Sequence, residues 1–336
     1  MPQSLNDIRE LLAALPGPDE DAGSRASERE SQLTKPAGAL GTFENLAQWL
    51  SEWQGRHPPR IERPTVIVFA GNHGVTAQGV SAFPAQVTRQ MVANFEAGGA
   101  AINQLAKSAG AELTVIDAGV DPGTGDFTAG PAMTEAAFCE AFRSGMGAVS
   151  GGTDLLALGE MGIGNTTAAA AVCHALFGGD AAYWTGPGTG VAGAALENKI
   201  RVVGEGLARH RAETNDPLEL FQRLGGFEMA AIAGAATAAR QKRIPVVLDG
   251  FVCGAAVAPL FAAAENALAH CVAAHCSAEP GHVHLLERLH LKPLLDLGMR
   301  LGEASGAAIA ISLIRAAADC HASMATFAEA GVSGQE

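Results

Sequence analysis

The stretch from Thr153 to Lys199 constrains the fold more than any other: a short apolar run, a glycine-broken turn, an alanine-rich helix, a second glycine cluster and a second helix. Gly162 and Gly164 carry no Cβ, so the backbone there can take left-handed angles and come close to a ligand. Asn165, Thr166 and Thr167 follow where N-cap residues stand. Exposed N–H groups and the helix dipole favour an anion at such a start. GPGTGV, Gly186 to Val191 with Gly188 at its centre, repeats the arrangement ahead of a helix that runs to Lys199 and on to about Arg211. The pair of turns predicts a site for one phosphate monoester, with Lys199 as the fixed cation. Ordinary strand-to-helix turns would carry the same glycines, since glycine punctuates most turns.

Better-known nucleotide motifs are absent. Thr167 stands where the third glycine of a GxGxxG fingerprint belongs, and no GxxxxGK(S/T) occurs. An oxidoreductase using a nicotinamide cofactor is disfavoured on that ground. A phosphoribosyl diphosphate enzyme needs adjacent acids after an apolar strand to hold magnesium, and VVLDGF supplies one, Asp249. The GxSxG elbow of a serine hydrolase is missing. His275, His282, His284, His290 and Cys276 match no common zinc spacing, so neither a metal nor a cofactor is expected.

With 336 residues and 48% hydrophobic content, the chain can build one large domain and a smaller one. A formal net charge of -13 argues against nucleic acid and anionic membranes as partners, though not against a small anion held by one lysine and a few N–H groups. Six scattered cysteines without a CxxC read as reduced core thiols. MPQSLNDIRELLAAL lacks the basic and apolar regions of a leader, and no apolar run reaches the roughly 18 residues of a membrane span. A cytoplasmic location is expected.

Ser4 caps a predicted helix over 4–14, and Phe43, Leu46 and Leu50 give another from Thr42 to about Trp53; the acid-rich stretch between them is either a solvated helix or a loop. Continuous apolar runs at Val66–Phe69, near ELTVID, at Leu155–Leu158, at IPVVLD and at Leu268–Ala274 read as strands buried on both faces. Helical patterns separate them, which predicts right-handed crossovers in a parallel, doubly wound α/β sheet. Function in such sheets gathers at the carboxyl ends of strands.

Several motifs occur together and in order: KPAGALG (Lys35 to Gly41), GNHGV (Gly71 to Val75), GVSAFPAQVT (Gly79 to Thr88), GEMGIGNTT (Gly159 to Thr167), GPGTG, the ENK ending in Lys199, LGGFE (Leu224 to Glu228), VVLDGF (Val246 to Phe251), SAEPG (Ser277 to Gly281) and LGEASGAA (Leu301 to Ala308). As a set, covering nearly the whole chain, they resemble the nicotinate-nucleotide:dimethylbenzimidazole phosphoribosyltransferase family. The resemblance implies transfer of phosphoribose from nicotinate mononucleotide to a benzimidazole nitrogen, giving α-ribazole phosphate and nicotinate, in assembly of the cobalamin lower ligand. The donor pyridine nitrogen is already quaternary, so the ring leaves neutral without a metal-bound diphosphate. The resemblance also implies a Rossmann-like domain over 61–304, a small helical domain from 1–60 completed by about 305–336, and a homodimer.

Carried over by motif, Glu160, Gly162, Gly164, Asn165, Thr166, Gly188 and Lys199 fall on the donor side, and Ser81, Phe83, Met91 and Leu301 on the acceptor pocket. Glu303 is the expected general base, its apolar and side-chain-free neighbours lifting its pKa. An acid stabilising a helix N-terminus would look the same in sequence. The natural base stays open among benzimidazole, its dimethyl form, adenine and a phenol. The other class in view is a nucleotide-binding regulatory protein on this fold without catalysis, which would not require Glu303.

Overall fold

A backbone segment with apolar side chains on both faces finds hydrogen-bond partners only in neighbouring strands, and the apolar runs of this chain assemble accordingly. The computed structural model describes residues 1–333. Among these, β1 (Pro64–Gly71), β2 (Glu112–Gly119), β3 (Leu155–Met161), β4 (Val246–Leu248), β5 (Cys271–His275) and β6 (Pro293–Leu295) form one sheet in the order β2-β1-β3-β4-β5-β6. Every neighbouring pair is parallel, with Val68 beside Val115 on one side and Gly159 on the other.

Helices α1 (Leu5–Ala13), α2 (Glu20–Gln32) and α3 (Thr42–Gln54) precede the sheet; α4 (Gln86–Glu96) and α5 (Ala101–Ser108) link β1 to β2, and α6 (Glu135–Ala148) links β2 to β3. Between β3 and β4 come α7 (Asn165–Phe177), the short α8 (Ala181–Trp184), α9 (Ala194–Arg211), α10 (Pro217–Leu224) and α11 (Phe227–Gln241). Then α12 (Phe251–Ala263) joins β4 to β5, α13 (Pro280–Arg288) joins β5 to β6, and α14 (Ser305–Ser323) and α15 (Phe327–Ala330) follow.

The pleat sorts the strands into two cores. Ile67, Phe69, Leu156 and Leu158 face α6, α7, α11 and α12, whereas Val66, Val68, Leu155 and Ala157 face α3, α5 and α14. Crossovers of one hand require this division. The chain steps one way from β1 to β2 and the other way from β3 through β5, so the connecting helices change face where the direction reverses. That reversal lies between β1 and β3, and the crevice outside their carboxyl ends is where such sheets bind ligands.

Three local features carry the packing. The acid-rich stretch is a helix: Asp19 caps it by accepting the Ala22 N–H at 2.9 Å, and Ala22, Gly23 and Ala26 bury a small-residue face. Gly145 and Gly234 let α6 and α11 meet backbone to backbone, because a Cβ on either would overlap the carbonyl of Ala231 or Phe142. At the far end, Arg29 of α2 donates to the carbonyls of His321, Ala322 and Met324, so the two ends of the described chain are tied together while α14 also packs on β3 to β6.

Candidate active site

The turn after β3 has the expected glycines but a different cap. Gly164, at φ 94°, is itself the N-cap of α7, which makes Asn165 the first helical residue and frees its side chain to turn back and donate Nδ2 to Glu160 Oε2. Gly162 lies against the end of β1, where a Cβ would stand 2.5 Å from the Gly71 carbonyl. Gly164 is likewise pressed to the β1 side, against Thr76 and His73, and does not line the cleft.

The second glycine cluster stands apart from its helix: α9 starts at Ala194 with Gly193 as cap, and Lys199 sits in its second turn. Lys199 is 1% exposed, and its Nζ donates to Thr166 Oγ1 at 2.8 Å and to the Gly186 carbonyl at 3.0 Å. Burial pulls its pKa down to about 8, opposed by the nearby Glu279 charge. The Gly188 N–H, expected to be open, donates to Glu279 Oε1 at 2.9 Å, while Arg300 Nη1 donates to the Gly188 carbonyl at 3.0 Å. Two cations therefore flank the turn, Lys199 beneath it and Arg300 on its open side.

Across the floor lies a group of acids. Glu303 is 4% exposed and held in the left-handed region at φ 61°, as is Ala304, with its N–H donated to the Glu160 carbonyl at 3.1 Å. Its Oε2 has no partner, and burial lifts its pKa to about 7. Glu160 is pushed to about 8, first by burial and then by the Asp249 and Glu228 charges, with Asn165 opposing. Asp249 accepts the Ala307 N–H at 3.0 Å and is raised to about 7 by burial. Phe83 and Leu301, 52% and 56% exposed, stand with Met91 as apolar walls at the mouth.

These residues line one cleft of about 640 Å³: Phe83, Met91, Glu160, Gly162, Asn165, Thr166, Gly188, Leu301 and Glu303 are brought together. Ser81 and Lys199 are not among them: Ser81 Oγ lies 3.1 Å from Thr189 Oγ1, and Lys199 is buried beneath the Gly188 turn. Sequence reasoning gave no role to Glu279, Arg300, Ser277 and His275, which also line the cleft, or to Asp249 beneath it. It missed the buried pair of His73 Nε2 and Glu228 Oε1 at 2.6 Å as well. The motifs containing them were legible, but their pairing spans up to 155 residues. Of the histidines near the C-terminal third, His275 and His282 pack edge to face at 6.2 Å, His282 Nδ1 accepts the Ser277 N–H at 2.9 Å, and His284 stacks on Tyr183 at 3.7 Å.

A phosphoribosyltransferase family model matches residues 15–332. The chain is also 60% identical over 329 residues to the nicotinate-nucleotide–dimethylbenzimidazole phosphoribosyltransferase of Ruegeria pomeroyi, covering 98% of this chain and 97% of that one. The chain belongs to the nicotinate-nucleotide:dimethylbenzimidazole phosphoribosyltransferase family. Its similarity to the family member of Brucella anthropi is 54% identity over 331 residues, covering 98% of each chain. Among solved structures, that of CobT from Thermus thermophilus superimposes with a TM-score of 0.89 at 45% identity, over 94% of this chain and 100% of that one.

Proposed function

We propose that this chain transfers phosphoribose from nicotinate mononucleotide to 5,6-dimethylbenzimidazole or a related base, giving α-ribazole 5'-phosphate and nicotinate for the lower ligand of cobalamin. The observation that carries this reading is the opposed chemistry of one cleft. Arg300 and the Gly188 turn, with Lys199 buried beneath the turn and Glu279 holding its N–H, form the end read as the phosphate site, and Glu303 stands with Phe83, Met91 and Leu301 at an end suited to a flat base.

In the reaction, the bond from the ribose anomeric carbon to the pyridinium nitrogen breaks, and its electron pair leaves with nicotinate. A base nitrogen attacks from the opposite face, forming the new C–N bond with inversion from β to α. The other ring nitrogen loses its proton to the Glu303 carboxylate, which takes up the charge the new bond would leave on the ring. Of the buried acids, Glu160 lines the cleft and faces the sugar as its carbon becomes electron-poor, and Asp249 adds its charge from beneath. A positive sugar carbon draws their ionised forms and is stabilised by them. A protein that only bound nucleotide would have no use for the unpartnered Glu303 oxygen, and the named relatives are enzymes.

The test is incubation of the full chain with nicotinate mononucleotide and a panel of benzimidazole, 5,6-dimethylbenzimidazole, adenine and phenol. Released nicotinate and an α-configured product by NMR are expected; absence of nicotinate release with every base would sink the reading. Around this activity the chain is read as a cytoplasmic homodimer, with 61–304 as the large domain. The small helical unit is 1–60 with about 305–336, of which 334–336 lie outside the described residues. Light scattering after gel filtration checks the dimer.

A further inference from the structure

The segment from Gln78 to Pro84 brings Phe83 to the mouth of the cleft, and it is tied at two points to the elements that face the phosphate. Thr189 follows Gly188 in the phosphate turn; its Oγ1 accepts the Ala82 N–H at 3.2 Å and shares a hydrogen with Ser81 Oγ at 3.1 Å. Ser81 Oγ accepts the N–H of Phe83 at 3.2 Å, so the run of hydroxyls that begins at Thr189 ends on the backbone of the acceptor wall. Asn198, the residue before Lys199, donates Nδ2 to the Gln78 carbonyl at 2.7 Å. On its other side the turn is gripped closely, with Glu279 on the Gly188 N–H, Arg300 on its carbonyl and Lys199 on the carbonyl of Gly186. A turn held this way has few free adjustments. Thr189 thus stands between that fixed turn and residues 81 and 82.

We propose that Thr189 is a positioning residue that couples the two ends of the cleft, so that phosphate in the Gly188 turn fixes the Ser81–Phe83 segment and tightens binding of the flat base. The inference rests on the donor and acceptor assigned above. Coupling of this kind is reciprocal: the base tightens the phosphate by the same factor. It also gives Ser81 a role other than a direct contact with the base, in keeping with its position outside the lining of the cleft.

The experiment measures the Kd of each base in the panel by calorimetry on the full chain, with and without saturating ribose 5-phosphate. In the wild-type chain ribose 5-phosphate is expected to tighten the base by about fivefold or more, the lower end of coupling between sites. Thr189→Val, which keeps the shape and removes the hydroxyl, is expected to bring the ratio close to one, and Thr189→Ser to restore it. Thr189→Ala also removes the hydroxyl from both bonds and carries the test if the valine variant does not fold. A wild-type ratio of one, or an unchanged ratio in Thr189→Val or Thr189→Ala, overturns the coupling alone. Failure of every base in the panel to bind overturns the assigned acceptor and the coupling together.

Discussion

The ammonium of Lys199 lies 2.8 Å from the hydroxyl of Thr166, so a cation carried on α9 reaches the first turn of α7 from below. Its second partner is the Gly186 carbonyl at 3.0 Å. A lysine has three N–H donors, and these two neutral oxygens occupy two of them. In the proposed reading the third serves a phosphate oxygen, at a site where burial makes a charged bond stronger than it would be in water.

Lys199→Ala is therefore expected to raise KM for nicotinate mononucleotide by about tenfold or more, the scale of a charge-assisted hydrogen bond of about 1.5–3 kcal/mol. Because burial lowers the pKa of Lys199 to about 8, the wild-type KM is expected to climb as pH rises through that value and the ammonium is lost. Steady-state kinetics between pH 7 and pH 9 test both points. An unchanged KM in the alanine variant removes Lys199 from the donor site.

Glu303 must be ionised to accept a proton, and burial places its pKa at about 7. The expected profile of kcat/KM rises with pH up to about 7 as Glu303 ionises and falls again above about 8 as Lys199 loses its proton, since that parameter reports groups of the free enzyme. Glu303→Gln is expected to lose roughly a hundredfold to ten-thousandfold in kcat and to lose the acid limb with it. Near-normal turnover in a folded Glu303→Gln protein would show that the residue only serves the start of α14.

Asp249 gives a stability prediction with a definite sign. Its folded pKa of about 7 lies above the ordinary 3.8, so between those values the folded chain binds more protons than the unfolded one. The stability this provides is complete below about pH 4 and is lost as pH rises through 7. Asp249→Asn keeps an oxygen for the Ala307 N–H and removes the buried charge. Its melting temperature is expected to exceed that of the wild type at pH 8, by about 2 °C for each kcal/mol regained in a chain of this size. The gap is expected to shrink at pH 5, and a constant gap across that range contradicts the assignment.

Gly145→Ala tests the packing of α6 on α11. The added methyl would overlap the Ala231 carbonyl, a backbone atom that cannot rotate away. Overpacking of this kind costs about 1–3 kcal/mol or more. A lowered melting temperature is expected, with KM for both substrates unchanged because the contact is remote from the cleft lining.

Periodicity and turn chemistry made the parallel sheet and the first glycine turn legible, because strands buried on both faces and left-handed glycines leave local traces. α12 left none: every residue from Phe251 to Leu260 is buried, so the helix has no polar face to mark its period. The site was readable only one side chain at a time. Lys199, Glu160 and Glu303 stand in quoted motifs, whereas Glu279 meets Gly188 across 91 residues and no spacing rule pairs them. Asn165 was misread as a cap because the left-handed angle of Gly164, which moves the start of α7 by one residue, is a property of the folded turn.

Glu303 and Ala304 occupy consecutive left-handed positions, a conformation that disfavours L-residues by about 1–2 kcal/mol each. Selection for thermal tolerance alone would replace both with glycine, the residue that suits those angles. At 304 such a change relieves strain and spares the chemistry, but at 303 it deletes the carboxylate. Two neighbouring codons thus stand under opposed pressures, and a library screened only for heat resistance would enrich inactive survivors at one of them and working ones at the other.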